Sequence, residues 1–272
     1  MYSSLQLAIK FVRYWLTASN GKGHGVHSPF VFEFITDVLN DDKEYYCYNT
    51  IEQLRYQLKM DNSELLLEDF GAGSRMHASY KRKVSGIAGS SLKQKKFAQL
   101  FFRMVNFYFH QERLKYPANI LELGTSLGIT TSYLASANIN NNVITMEGAV
   151  AVADIAKRIF QCLLLKNIQI IKGNFDHTLP LIIKQLSTID FAFIDGNHRK
   201  EPTVRYFNEI LTKTTEYSIF VFDDIHWSKE MEEAWEYIKE HSSVTLSIDL
   251  FFVGIIFFRK EQRVKQHFTI RF

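Results

Sequence analysis

Cysteine, net charge and long apolar runs are all scarce in this chain of 272 residues, and each shortage removes a class of explanation. Its two cysteines, Cys47 and Cys162, lie far apart with no CxxC pair, which speaks against a disulfide framework or a thiolate zinc site and for a reducing compartment, the cytoplasm. A net charge of +3 is too small to signal a nucleic-acid partner. Its basic residues are scattered apart from Lys81-Arg82-Lys83 and Lys93, Lys95 and Lys96, which read as solvated helix faces. No segment reaches the roughly 18 consecutive apolar residues that a membrane span requires. The first sixteen residues interrupt their apolar stretch with Lys10 and Arg13 and lack a small-residue cleavage site, unlike a signal peptide. With 46% hydrophobic residues, the chain can still bury a full core, as one domain with an appendage or as two small ones.

What is present is organised around residues 119–135. Ile120 to Leu123 is a short apolar run broken by a glycine, the pattern of a buried strand, and from Ile129 the residues read as a helix. Gly124 to Gly128 is therefore a strand-to-helix turn, whose free backbone N–H groups at the positive end of a helix favour an anionic ligand. Three ligand classes compete for it. A dinucleotide wants a middle glycine to admit its pyrophosphate, and Thr125, Ser126 and Leu127 do not supply one. Gly124-Thr-Ser126-Leu-Gly128 also fits the Gly-x-Ser-x-Gly elbow of α/β serine hydrolases, with Asp195 or Asp223 followed by His226 in the chain order those enzymes use. S-adenosylmethionine, the third, presents a methionine carboxylate and needs fewer glycines.

The surroundings of the turn favour the third class, with the hydrolase kept open. Val143 to Met146 is a second apolar strand ending in Glu147, at about the twenty-residue distance where a carboxylate meets ribose hydroxyls in nucleotide-binding βαβ units. Ile168 to Lys172 reads as a third strand, followed by Gly173-Asn174-Phe175, an amide and a ring suited to the edge and face of adenine. Glu122 is a candidate for the ligand's ammonium, and Gly124, Thr125, Gly128 and Thr130 for the lining of the turn. On these residues the chain resembles the class I S-adenosylmethionine-dependent methyltransferases, with Glu-Leu-Gly-Thr-Ser-Leu-Gly in place of their first motif and Glu147 in place of their ribose acid. A non-catalytic protein of the same fold is a further alternative.

Residues 1–115 read as a mainly helical N-terminal region that caps the acceptor site, and residues 116–272 as the cofactor-binding domain. Leu5, Ala8, Ile9, Val12, Trp15 and Leu16 recur at helical spacing and are expected to dock on the core. His24 and His27 sit in a glycine-rich loop that reads as a structural connection, after which Ser28-Pro29 opens a helix. Glu68-Asp69-Phe70-Gly71-Ala72-Gly73-Ser74 mimics a nucleotide-binding turn, but no strand ending in an acid follows it. It reads as a loop, and Ser90 to Tyr108 as a helix leading into the core. Strands are expected at 119–123, 143–147, 168–172, 189–194, 217–223, 244–250 and 252–258, with helices between the first six. This pattern predicts a Rossmann-like α/β fold: a seven-stranded, mostly parallel sheet with a C-terminal antiparallel hairpin, then a peripheral tail from Lys260.

Strand four ends in Asp195-Gly-Asn-His198 and strand five in Asp223-Asp224-Ile-His226-Trp227, so three carboxylates are expected on the ligand side of the sheet. Three hard oxygens with no thiolate suit Mg²⁺ or another divalent cation. The arrangement resembles the catechol and caffeoyl-CoA O-methyltransferase branch, which implies Asp195, Asp223 and Asp224 as metal positions, Asp195 also as a cofactor contact, and His198 as the base where that branch carries lysine. Asp224 stands where that branch has asparagine. Against this, Asp223-Asp224 also suits a cap for the following helix, and His226 an ordinary loop position. Trp227 is close enough to the strand end to border an acceptor. The expected partners are S-adenosylmethionine and a small-molecule acceptor, with a homodimer compatible with the reading.

Overall fold

The computed structural model describes residues 1–68, 79–110 and 116–272. In chain order the elements are α1 (Ser4–Thr17), α2 (Pro29–Glu33), a π-helical turn (Phe34–Leu39), α3 (Tyr48–Met60), β1 (Glu64–Glu68), β2 (Ser79–Lys83), α4 (Val84–Ser91) and α5 (Lys95–Tyr108). There follow β3 (Asn119–Leu123), α6 (Ile129–Ala137), β4 (Asn142–Glu147), α7 (Val150–Cys162), β5 (Ile168–Lys172), α8 (Phe175–Gln185), β6 (Phe191–Ile194) and α9 (Lys200–Leu211). The last are β7 (Ile219–Asp223), α10 (Lys229–Glu240), β8 (Leu246–Asp249), β9 (Val253–Phe257) and β10 (Gln266–Thr269). They form two compact units, Asp42–Ile182 and Met1–Asp41 with Ile183–Phe272.

In the unit of residues 42–182, β3, β4 and β5 lie side by side and parallel, with Leu123 opposite Met146 and Glu147 opposite Lys172. Ile120, Leu121 and Leu123, like Val143, Ile144 and Met146, are buried, which is why both strands read as unbroken apolar runs. Every residue of α6 is buried too, so the helix after the turn has no polar face to show. α5 turns Phe97, Leu100, Phe101, Met104 and Val105 into this interior, as its periodicity predicted. One feature differs from the mainly helical expectation: β1 and β2 pair as an antiparallel two-stranded sheet, Glu64 opposite Lys83. Lys81, Arg82 and Lys83 therefore lie on a strand rather than a helix face, with Lys81 3.2 Å from Glu64. The Gly71–Gly73 motif falls outside the described residues.

In the other unit the strand order is β10-β8-β9-β7-β6. β6 and β7 are parallel, β9 runs antiparallel to both β7 and β8, and β10 pairs parallel with β8. The expected antiparallel hairpin is thus β8–β9. The sheet strands β3 to β10 number eight rather than seven, because the tail read as peripheral supplies β10 and buries Ile270 completely.

A second correction concerns α1. Leu5, Ile9, Val12 and Leu16, expected against the core, are exposed, at 56–72% of their surface. The face that docks is the other one: Tyr14 and Ala18 are buried with Phe251, and Phe11 packs on Phe251 with ring centres 5.1 Å apart. Polar ties fix this orientation. The Tyr2 N–H donates to the Trp227 carbonyl (3.1 Å), the Tyr2 hydroxyl and the Lys10 ammonium donate to Glu232 (2.7 and 2.8 Å), and the Tyr14 hydroxyl donates to the Ile270 carbonyl.

Gly254 in β9 is closely packed: a Cβ there would stand 2.6 Å from the Trp235 ring on α10. Gly254→Ala is expected to destabilise the protein by about 1–3 kcal/mol through overpacking, read as a lowered urea midpoint; an unchanged midpoint would contradict the packing described.

Candidate functional site

Three consecutive parallel strand ends in the unit of residues 42–182 carry the nucleoside candidates. The ladder of the sheet runs past those ends: the Gly124 and Thr125 N–H groups both donate to the Met146 carbonyl (3.0 Å each), and the Gly173 N–H donates to the Glu147 carbonyl (2.9 Å). Gly124, Glu147 and Asn174 are thereby set side by side in the order β3, β4, β5. Within the turn, Gly124, Ser126 and Gly128 have φ values of 105°, 49° and 81°, a left-handed backbone that glycine adopts freely and serine rarely does. A Cβ at Gly128 would also meet the Phe160 ring at 2.7 Å and Ala156 at 2.9 Å, so helix α7 packs against the bare glycine.

Glu147 reaches back to this turn. Its Oε2 accepts the Ser126 N–H at 2.8 Å and its Oε1 the Ala149 N–H at 2.9 Å, which fixes the carboxylate at the edge of the turn. The Ser126 hydroxyl is buried with no hydrogen-bond partner among the described residues, so a polar ligand group in the turn would satisfy it. The donors therefore fit an amino-acid-bearing nucleoside. Asn174 caps α8, its side-chain carbonyl accepting the Asp176 N–H at 2.9 Å, so what it offers an adenine edge is its NH₂ group; Phe175 follows as the first residue of that helix.

Glu122 is fully buried, and its Oε2 accepts hydrogen bonds from the hydroxyls of Thr131 and Thr145, the latter at 2.6 Å. Thr145 in turn bonds to Thr125 Oγ1 at 2.6 Å, so a buried carboxyl and three threonines brace the turn from beneath, and Thr130 is buried beside them. Thr131 and Thr145 were missed by the sequence reading. Their signal was polarity inside apolar runs, Thr145 within Val-Ile-Thr-Met above all.

The acid and base candidates all lie in the other unit. His198 faces two carboxyls, Nε2 3.4 Å from Asp195 Oδ1 and Nδ1 3.9 Å from Asp224 Oδ2. Burial works to lower its pKa, but the hydrogen bond to Asp195 and the charges of Asp195, Asp224 and Asp223 outweigh it and raise it to about 9. Asp223 is buried at the end of β7. Among the described residues no group of three or more His, Cys, Asp and Glu side chains stands close enough to hold a metal ion, so the expected convergence of Asp195, Asp223 and Asp224 into a cation site is not formed. Asp224 has φ 52°, and its N–H donates to the Phe252 carbonyl at 2.8 Å. Asp223 and Asp224 do not cap α10 either; Ser228 does, accepting the Met231 N–H. His24 and His27 are exposed, and Ser28 caps α2 with Pro29 in its first turn.

His226 is held on both sides, Nδ1 3.1 Å from Glu232 Oε1 and Nε2 2.8 Å from Asp249 Oδ2, with its ring stacked on Phe251. Burial lowers its pKa, and the bonds to Asp249 and Glu232 reverse this to a net rise. The hydrolase alternative loses its parts here: Ser126 Oγ has no partner base among the described residues, and both nitrogens of His226 are engaged by carboxylates. Against the same residues α1 walls one side of an open cavity of about 290 Å³, lined by Leu7, Ala8 and Phe11 on the helix and by Trp227, Phe251 and Phe252, with Asp224 and His226. The lining supplied by α1 was not legible in the sequence.

Residues 121–225 match the family model described as a methyltransferase domain. No curated protein matches it in sequence. Among solved structures it is similar to the SAH-bound methyltransferase PaMTH1 of Podospora anserina, with 11% identity and a TM-score of 0.59 over 96% of this chain and 98% of that one. It is similar also to the O-methyltransferase of Bacillus cereus in complex with SAH, with 16% identity and a TM-score of 0.54 over 84% and 97% of the two chains. A third is the O-methyltransferase TomG of Streptomyces achromogenes in complex with SAM, involved in tomaymycin synthesis, with 14% identity and a TM-score of 0.54 over 80% and 91%. At such identities these likenesses establish the fold, the Rossmann-like one of methyltransferases.

Because the folded-state pKa of His226 is raised, its pairing stabilises fully below the unfolded value of about 6.5 and the contribution is lost as pH rises through the folded value. The melting temperature of the wild type should therefore fall further between pH 6 and pH 9 than that of His226→Asn. Equal falls would contradict the doubly paired imidazolium.

Proposed function

We propose that the chain transfers a methyl group from S-adenosylmethionine to a hydroxyl of a small molecule. The observation that carries the reading is the adjacency of Gly124, Glu147 and Asn174 on three neighbouring strand ends, with a buried unpartnered hydroxyl in the turn between the first two. The turn and Ser126 would hold the amino-acid end, Glu147 the ribose hydroxyls, and Asn174 with Phe175 the adenine. When bound, S-adenosylmethionine supplies an electrophilic sulfonium methyl, so that a C–O bond to the acceptor forms as the C–S bond breaks and S-adenosylhomocysteine remains.

His198 takes the proton that leaves the acceptor hydroxyl, and Asp195 and Asp224 orient its ring. The O-methyltransferases among the structural neighbours favour oxygen as the acceptor atom. No step is routed through a divalent cation, since Asp195, Asp223 and Asp224 are not gathered to hold one. Within the N-terminal region assigned to the acceptor, α1 is the part that walls a cavity beside Asp224.

Isothermal titration should show S-adenosylhomocysteine binding to the wild type and at least tenfold weaker binding to Glu147→Ala; no binding to the wild type would overturn the reading. Turnover is expected to persist in EDTA, and a loss restored by Mg²⁺ would return the metal to the site. With a base whose pKa lies at about 9, kcat/KM should climb about tenfold per pH unit toward that value. His198→Gln should remove the climb and lower turnover by about 10²–10⁴-fold, whereas a flat wild-type profile would exclude His198 as the base.

A further inference from the structure

We propose that the outer face of α1 docks on an anionic lipid surface, with the helix lying in the plane of the membrane rather than across it. The inference is independent of the methyl-transfer reading and adds a partner which that reading does not require. Leu5, Ile9, Val12 and Leu16 recur at spacings of four, three and four, which places them on one side of the helix. All four are exposed, and so is Trp15 beside them. An exposed apolar patch of this kind marks a surface that meets a partner.

The stripe cannot roll inward, because the opposite face of the helix is already fastened. Tyr14 and Ala18 are buried with Phe251, the Lys10 ammonium and the Tyr2 hydroxyl donate to Glu232, and the Tyr14 hydroxyl donates to the Ile270 carbonyl. The helix has 14 residues and is about 21 Å long, against a bilayer hydrocarbon core of about 30 Å. It is too short to cross and long enough to lie in the interface, where tryptophan side chains also settle.

Charge selects the lipid. Residues 1–32 contain Lys10, Arg13 and Lys22 and no aspartate or glutamate; the first acid is Glu33. Lys10 is held by Glu232, but Arg13 and Lys22 are exposed and form no ion pair among the described residues. Arg13 borders a hollow with Glu232, Glu236 and Asp249, yet each of these acids is engaged elsewhere, Glu236 by Lys239 at 2.8 Å and the other two by His226. A further cation, Arg271, stands 5.6 Å from the centre of the Trp15 ring. Negative headgroups would meet these cations as the stripe enters the acyl boundary. A second copy of α1 would present Arg13 again and no acid, so the charge pattern favours lipid over self-association.

The test is co-sedimentation of the full chain with vesicles of phosphatidylcholine, either alone or with one-third phosphatidylserine. The wild type should bind the anionic vesicles at least tenfold more tightly than the neutral ones, and high salt should erase most of that difference because exposed charges are screened. Leu5→Gln with Leu16→Gln, both on the exposed face and both keeping a good helix former, should weaken binding to anionic vesicles at least tenfold. Arg13→Gln with Lys22→Gln should remove the preference for anionic vesicles. No binding to anionic vesicles, equal binding of the wild type to both kinds, or binding that survives the two leucine substitutions would each overturn the proposal. So would a dimer in sedimentation equilibrium that the leucine substitutions dissolve, with no vesicle bound, since the face would then belong to a second copy.

Discussion

The hydrogen bond from the Ser126 N–H to the Glu147 carboxylate ties the turn after the first parallel strand to the end of the second, at 2.8 Å. In the proposed reading that bond joins the two ends of the nucleoside site: the part that would receive a charged tail and the part that would receive a sugar. Its geometry needs a left-handed residue at Ser126 and bare glycines at Gly124 and Gly128, because a side chain at Gly128 would collide with Phe160. It needs support from below as well, which the Glu122, Thr131 and Thr145 cluster provides within the sheet. A turn strained in this way persists only where its surroundings over-determine it.

The unit of Met1–Asp41 and Ile183–Phe272 is organised by a different constraint, the fastening of α1. Glu232 receives Tyr2, Lys10 and His226 together, and Phe11 and Tyr14 pack on the Phe251 ring. These ties decide which face of an amphipathic helix is inside, and they create the aromatic cavity as a by-product of the docking. His198, on the loop after β6, faces Asp195 of its own loop and Asp224 of the loop after β7, and Asp224 also borders that cavity.

Period-two and apolar-run patterns made the sheet readable: β3 and β5 carry the bounds that the sequence predicts, and β4, β6, β7, β8 and β9 differ by one or two residues at their ends. A strand's burial on both faces is a property of its own residues, so it survives into the sequence. What was not legible depended on partners distant in the chain. α1 has apolar residues around most of its circumference, and periodicity alone cannot say that Phe11 and Tyr14 face inward while Ile9 and Val12 face out; Glu232, more than 200 residues away, settles that. β10 hides in a charged tail because an edge strand of four residues needs only one apolar face. β2 was masked by Lys81, Arg82 and Lys83, which suit an exposed strand as well as a helix. Asp195 follows β6, Asp223 ends β7 and Asp224 follows it, as the pattern predicts, but a one-dimensional pattern carries no side-chain direction, and it does not show that His198 stands between Asp195 and Asp224.

The account stands or falls on where a nucleoside sits. A crystal structure of the chain soaked with S-adenosylhomocysteine should show both ribose hydroxyls within hydrogen-bond distance of Glu147, the adenine beside Asn174 and Phe175, and the amino-acid tail at the Gly124–Gly128 turn. Density for the ligand anywhere else, or a turn left empty at saturating concentration, would contradict it.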